Sequence, residues 1–272
     1  MKRIEVGTHT IATVDEGNGR PLLFVHGFPL DHSMWRAQID WFAGGAAGDY
    51  RVIAPDLRGF GESVSAEDSL PASISMKSFA DDLVVLLDEL RVTEPVVYCG
   101  LSMGGYIGWQ FVRHHAERIH TMIMCDTKAE ADSREVARAR HFMADGVVEA
   151  GTSLATRGML ERLVSPKTFE SSRDIANRLQ EMIDATDPNA VAAAQRGMSE
   201  RPDSCKLLPL IDAPTLFICG DGDQITPPTE MKEMVSKMPD ARLEIIQDAG
   251  HMPPMEQPES TNRVIGQFLQ GY

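Results

Sequence analysis

Short apolar runs alternate with segments of helical spacing along most of the chain. The runs PLLFVHG (21–27), YRVIAPD (50–56), EPVVYCG (94–100), RIHTMIMCD (118–126) and APTLFICG (213–220), with ARLEIIQ (241–247) last, have the length of buried strands. Between them SMKSFADDLVVLLDEL (75–90), MGGYIGWQFVRHH (103–115) and TNRVIGQFLQ (261–270) return an apolar residue to one helix face every third or fourth position. Interleaved runs of these two kinds predict an α/β architecture, a mostly parallel sheet with helices on both faces. The polar alternation in RIEVGTHTIATVDEG predicts an antiparallel hairpin before it.

One region departs from the alternation. From about Lys128 to Cys205 the segments REVARARHFMADGVVEAG, LATRGMLERLV and SRDIANRLQEMIDA follow one another with no strand between them. Neither flank is rich in Gly, Ser or Pro, which argues against an independent domain on a linker. Residues 128–205 are therefore expected to form a helical lid inserted into a single core built from 1–127 and 206–272. With 272 residues, 43% of them hydrophobic, the chain can bury one large core.

Charge narrows the partners. A formal net charge of -14 repels phosphates and anionic head groups, so nucleic acid and membrane surfaces are poor partners and a small molecule is the better expectation. The opening MKRIEVGTHT lacks an apolar stretch of signal-peptide length, and no window is apolar and long enough to span a bilayer. Cys99, Cys125 and Cys219 each end an apolar run, Cys205 lies in a polar segment, and no CxxC or Cys/His cluster occurs. Buried reduced thiols are the simplest reading, and with them a cytoplasmic location. Homo-oligomer formation is left open. There is no Walker loop, no HExxH and no GxGxxG after the first strand, so neither a metal nor another cofactor is expected.

The chemistry concentrates at Gly100-Leu101-Ser102-Met103-Gly104, where a strand pattern gives way to a helix pattern. A sharp turn there strains its central residue, and small residues two positions to either side leave room for the neighbouring chain. Ser102 is then held out at the carboxyl end of a strand, where open α/β sheets bind ligands, and at a helix N-terminus that favours developing negative charge.

A serine hydroxyl needs a base. Of the eight histidines, His9, His114, His115 and His141 lie in polar strand or helix-surface patterns and His120 within a strand, whereas His251, in QDAGHMPP after the last strand, falls on a loop at the edge where Ser102 lies. His26 also ends a strand, but its neighbour Gly27 suggests a structural or oxyanion-loop role. A carboxylate should fix the histidine tautomer. Asp221 and Asp223, both in DGDQITPP after TLFICG, meet the positional requirement; Asp223, deeper in the loop, is favoured. Asp126 at the end of TMIMCD is the rival, and Asp248 a third. Phe28 follows the strand ending FVHG and Met103 opens the helix, so their backbone N–H groups suit an oxyanion hole, with the Phe28 ring and Met103 side chain as pocket walls. Asp56 and Arg58 in PDLRGFGES read as a charged pair in loop structure, Trp35 as helix packing and His32 as a surface or loop residue.

Five motifs in order, HGFP (26–29), APDLRGFGES (54–63), GLSMGG (100–105), GDGDQITPP (220–228) and AGHMPPMEQPE (249–259), make the chain resemble the α/β-hydrolase fold superfamily over nearly its whole length. It is most like small carboxylesterases and the 3-oxoadipate enol-lactonase group, with which it shares HGFPLDHSMW (26–35). The resemblance implies an eight-stranded sheet, Ser102 as nucleophile, His251 as base with Asp223 as its partner, and Phe28 and Met103 as oxyanion donors. The expected activity is serine-dependent hydrolysis of small esters or lactones. A serine at residue 102 argues against dehalogenases and epoxide hydrolases, which use aspartate there. Cofactor-free haloperoxidase or perhydrolase activity, carbon–carbon bond hydrolysis and slow-turnover ligand binding remain alternatives. The lid would select the substrate through residues such as Met143, Leu154, Met159 and Phe169, and an arginine turned inward among Arg138, Arg140, Arg157, Arg162, Arg173, Arg178 and Arg196 would favour a carboxylate-bearing one.

Overall fold

A computed structural model describes residues 1–63 and 70–272, apart from the side chain of Arg157. Eight strands form one sheet: β1 (Lys2–Val6), β2 (His9–Gly17), β3 (Arg20–Val25), β4 (Tyr50–Pro55), β5 (Val96–Leu101), β6 (Ile119–Cys125), β7 (Thr215–Gly220) and β8 (Ala241–Ile246). Their order is β1-β2-β4-β3-β5-β6-β7-β8. Only β2 runs antiparallel to its neighbours, as the hairpin pattern predicts; the other pairings are parallel. Strands β5 and β7 are buried along their whole length, which is why their sequences are apolar without alternation. The edge strand β8 alternates between exposed and half-buried positions.

The helices are α1 (Arg36–Ala43), α2 (Met76–Glu89), α3 (Met103–His115), α4 (Arg134–Ala150), α5 (Ser153–Leu163), α6 (Pro166–Ser171), α7 (Arg173–Ala185), α8 (Pro188–Ser199), α9 (Pro228–Val235), α10 (Pro253–Glu256) and α11 (Pro258–Leu269). Helix α2 starts where the Ser75 side chain accepts the Ser78 N–H, a hydroxyl cap that satisfies one of the free donors of the first turn. Helix α11 begins three residues before the predicted 261, because Pro258 at its first position is already set to the helical φ. Packing of α2 on α3 and of α1 on α11 makes two layers over the sheet. No helix among the described residues is long and apolar enough to cross a membrane.

Between β6 and β7 five helices, α4 to α8, occur with no strand among the described residues. Two of them, α6 and α8, have no counterpart in the sequence reading. In α8, PNAVAAAQRGMS, the run Ala190 to Ala194 is buried, so small side chains let the helix lie close to α4 in place of an apolar stripe.

The strand order fixes where a ligand can enter. From β3 the chain moves outward to β4, and from β5 it moves the opposite way to β6. The crevice at the carboxyl ends of β3 and β5 is therefore the topological switch point of the sheet. The loop beginning at His26 leaves one of these strands, and Ser102 leaves the other.

Candidate active site

Ser102 stands between β5 and α3 with φ +53° and ψ -108°, a left-handed conformation that costs a non-glycine residue on the order of 1–3 kcal/mol. Several bonds hold it there. Its N–H donates to the Cys125 carbonyl (2.9 Å), and its own carbonyl accepts from Gly105 N–H (2.9 Å), Tyr106 N–H (3.1 Å) and Thr127 Oγ1 (2.9 Å). The flanking glycines are required by close approach: a Cβ on Gly104 would sit 2.3 Å from the Val25 carbonyl oxygen, and one on Gly100 2.6 Å from the Gly104 backbone. Both obstacles are backbone and cannot swing aside. Gly104→Ala is accordingly expected to push α3 off β3 and, because a misplacement of about 1 Å costs on the order of 10²-fold in rate, to lower kcat by that factor; steady-state kinetics on the soluble variant check it.

The loop that carries the candidate oxyanion donor Phe28 abuts this turn. A Cβ built on Gly27 would lie 3.7 Å from Ser102 Cβ. Among the described residues neither the Phe28 nor the Met103 N–H has a hydrogen-bond partner in the protein. Both side chains are buried, and the Phe28 ring meets Phe60 edge-on at 6.4 Å. His26 is fully buried: its Nδ1–H donates to the Gly27 carbonyl (2.8 Å) while Nε2 accepts the Leu57 N–H (2.9 Å). Burial, only partly opposed by nearby Asp56, keeps this ring below the usual histidine range and neutral, so it serves as a strut between the 26–29 loop and the 56–60 loop.

His251 and Asp223 come together. The Nδ1–H of His251 donates to Asp223 Oδ2 at 2.8 Å, both side chains being almost entirely buried. The same carboxylate accepts from Thr226 Oγ1 (2.6 Å), Ile225 N–H (2.7 Å) and Thr226 N–H (3.2 Å). Burial pushes the Asp223 carboxyl up, but the neighbouring His251 ring and these bonds outweigh it and hold the group far below the usual carboxylate range. Asp223 thus stays an anion, and His251 presents Nε2 as its basic nitrogen. Among the described residues neither Nε2 nor the Ser102 hydroxyl makes a hydrogen bond, so the candidate base and nucleophile are placed on one edge but not bonded to each other.

The competing carboxylates are engaged elsewhere. Asp248 is exposed and pairs with Lys167 at 2.7 Å. Asp221 accepts the Ala249 N–H at 3.3 Å, beside the histidine loop but not on the ring. Asp126 is fully buried behind Asp223 and accepts the Gly220 N–H at 3.0 Å.

Two readings of loop residues need correction. Asp56 and Arg58 do not pair: Asp56 accepts from His32 N–H and Nδ1 (2.7 Å each) and from Glu62 N–H (2.8 Å), whereas Arg58 forks onto Asp82. His32 is therefore half-buried and partnered rather than a surface residue; burial depresses its basicity, but the Asp56 carboxylate beneath it prevails and raises it. Asp31, His32 and Asp56 offer three metal-type donor atoms within 4.8 Å, as do Asp126, Cys219 and Asp223, but His32 Nδ1 and Asp223 are already spent on protein hydrogen bonds.

Glu256 is a partner of the candidate site that the sequence reading passed over. Buried below the histidine loop, it accepts Gly250 N–H (2.7 Å) and Met252 N–H (3.2 Å) on one oxygen and Ser165 N–H (2.8 Å) on the other. The N–H between those two, on His251, donates to the Leu163 carbonyl at 3.0 Å. One carboxylate thus staples the histidine loop to the segment joining α5 and α6. The signal was present: buried backbone donors flanking a buried histidine must find acceptors, and a nearby glutamate in AGHMPPMEQPE supplies them. Glu256→Ala is expected to lower kcat by roughly tenfold or more, since each lost bond to a buried carboxylate is worth about 1.5–3 kcal/mol. Glu256→Gln, which keeps one acceptor oxygen, should lose less; kcat and thermal midpoint measured together check both.

Against this geometry the relatives are informative. A sequence profile for the alpha/beta hydrolase fold matches residues 20–258. The solved structure of a thermophilic esterase from Thermogutta terrifontis, with malate bound, superposes with a TM-score of 0.95 at 40% identity, covering 100% of this chain and 99% of that one. The 3-oxoadipate enol-lactonase 1 of Acinetobacter baylyi is 26% identical over 93% of this chain and 90% of its own length. A non-heme chloroperoxidase of Kitasatospora aureofaciens is 28% identical over 94% of each. Profile, sheet order and elbow geometry agree, and the chain belongs to the α/β hydrolase fold family.

Proposed function

We propose that this protein is a serine hydrolase that cleaves carboxylic esters or lactones of small substrates through an acyl-enzyme. The observation behind this reading is the buried Asp223–His251 pair, joined at 2.8 Å, on the sheet edge where the strained Ser102 emerges beside two unpaired backbone donors. His251 Nε2 takes the Ser102 proton as the hydroxyl oxygen attacks the carbonyl carbon. The oxygen that becomes negative is met by the N–H groups of Phe28 and Met103, assisted by the N-terminal dipole of α3. Protonated His251, its charge balanced by Asp223, returns the proton to the leaving alcohol; water then repeats the sequence and frees the acid.

Helices α4 to α8 act in this reading as the lid, 128–205. They touch both halves of the site: Thr186 Oγ1 donates to the Pro29 carbonyl (3.1 Å) in the oxyanion loop, and Leu163 and Ser165 bond the histidine loop. The lid arginines bear on the substrate. Arg138, Arg162, Arg173 and Arg178 are exposed, Arg140 is bound to Asp132 (2.5 Å) and Arg196 to Asp145 (2.8 Å); the Arg157 side chain lies outside the described residues. With the described lid arginines either exposed or engaged by carboxylates, neutral esters and lactones are the preferred substrates over acid-bearing ones.

The test is a panel of p-nitrophenyl esters of increasing acyl length, simple lactones and an acid-bearing enol-lactone, assayed with wild type and Ser102→Ala. Serine-dependent turnover highest on short neutral substrates is the expected result. Binding without multiple turnovers would point instead to a ligand-binding protein. A second reading draws on the chloroperoxidase relative: the same acyl-enzyme, attacked by hydrogen peroxide in place of water, releases a peracid. Peracid formation that disappears in Ser102→Ala would place that activity at the same site.

A further inference from the structure

Behind the triad acid lies a second carboxyl that the proposed mechanism does not use. Asp126 ends β6 in a left-handed conformation (φ +44°), which aspartate tolerates better than most side chains, and its N–H donates to the Ile218 carbonyl at 2.9 Å. Its side chain is fully buried. Oδ1 accepts the Gly220 N–H at 3.0 Å, but Oδ2, also buried, has no hydrogen-bond partner among the described residues if it can only accept. One oxygen of Asp126, one oxygen of Asp223 and the Cys219 sulfur lie within 4.8 Å of one another.

Two buried carboxyls so close do not both ionise. Asp223 has three donors and the imidazole to stabilise its charge; Asp126 has one N–H. We propose that Asp126 is a positioning residue, a neutral carboxylic acid whose Oδ2–H donates to the Asp223 carboxylate and holds it against His251. This role rests on the triad reading above. A proton on Oδ2 turns an unpaired buried acceptor into a donor with an acceptor beside it, which removes the cost of leaving it unmatched. Of the groups that face Asp126, only the Gly220 N–H favours the charged form among the described residues. Burial comes first, followed by the Asp223 charge and the Cys125 thiol on its own strand, and together they raise its carboxyl well above the usual range despite the Gly220 N–H. The Cys219 thiol on β7 does not compete as a donor, being directed to the Gly220 and Thr226 carbonyls (3.3 and 3.4 Å).

The pH dependence has a definite sign. A group that keeps its proton when folded but loses it when unfolded weakens folding as pH rises above its ordinary value, here 3.8. Wild type should therefore lose stability relative to Asp126→Asn by about tenfold in the folding constant per pH unit between that value and the folded-state titration. The asparagine keeps both bonds, its Oδ1 accepting from Gly220 and its Nδ2 donating to Asp223; alanine keeps neither.

The experiment is an infrared difference spectrum of wild type against Asp126→Asn at pH 7, with urea unfolding of both from pH 4 to 8 and kcat for Asp126→Asn and Asp126→Ala. Expected are a protonated-carboxyl C=O band that shifts in D2O and vanishes in the asparagine variant, a stability gap that widens with pH, and a kcat that falls on the order of tenfold or more in alanine but only severalfold in asparagine. Absence of the band, or a gap that does not change with pH, would overturn the assignment even if the alanine variant does not fold. Neither readout needs turnover, so serine-independent hydrolysis would sink the triad reading while leaving the band in place.

Discussion

Ser102→Ala is expected to lower kcat for ester hydrolysis by about 10⁴-fold or more, with the fold and KM nearly unchanged. In the proposed mechanism the nucleophile is a single oxygen atom, and without it His251 can only direct water at a carbonyl held by the oxyanion donors. The fold should survive because the strained turn is held by backbone bonds to Cys125, Gly105, Tyr106 and Thr127, none of which uses the hydroxyl. Alanine keeps the Cβ and pays no new conformational cost at φ +53° beyond that already met by serine. Parallel kcat and circular dichroism measurements separate the loss of chemistry from a loss of structure.

The second large effect concerns the acid. Asp223→Asn is expected to reduce kcat on the order of 10⁴-fold. An asparagine amide facing Nδ1 offers a donor where the carboxylate accepted one, so the ring moves its proton to Nε2 and ceases to be a base toward Ser102. The imidazolium also loses its buried counter-charge. The same substitution at Asp126 should cost only severalfold, because that residue reaches Asp223 and Gly220 and not the ring. Comparing the two asparagine variants in one assay checks the order of effects, and the reverse order would move the acid to the end of β6.

Much of this was legible in the sequence because the central strands are buried on both faces and so carry unbroken apolar runs. Five internal strands were found within two residues at either end, and α3 was placed at its observed limits because a glycine-flanked turn starts it and a His-rich end closes it. Helices α6 and α8 were not legible. The first is one short turn-and-a-half after Pro166, and the second buries alanines in place of an apolar stripe, so neither shows a strong helical period. At the candidate site, strand ends nominated Ser102 and His251 and favoured Asp223 over Asp221, Asp126 and Asp248, since every parallel strand delivers its loop to one edge. Partnerships across distant segments were not legible. Nothing local reveals that Asp56 faces His32 and not Arg58, or that Glu256 reaches the α5–α6 segment, because those pairings depend on how loops from different strands meet above the sheet.

The most direct test of the account is to mix the protein with excess p-nitrophenyl acetate, quench in acid within the first turnovers, and map the product by peptide mass spectrometry. One acetyl group on the peptide containing Ser102, missing from Ser102→Ala and accumulating as nitrophenol is released, is the predicted result. Nitrophenol release with no acetyl adduct, or with the adduct on another side chain, would contradict it.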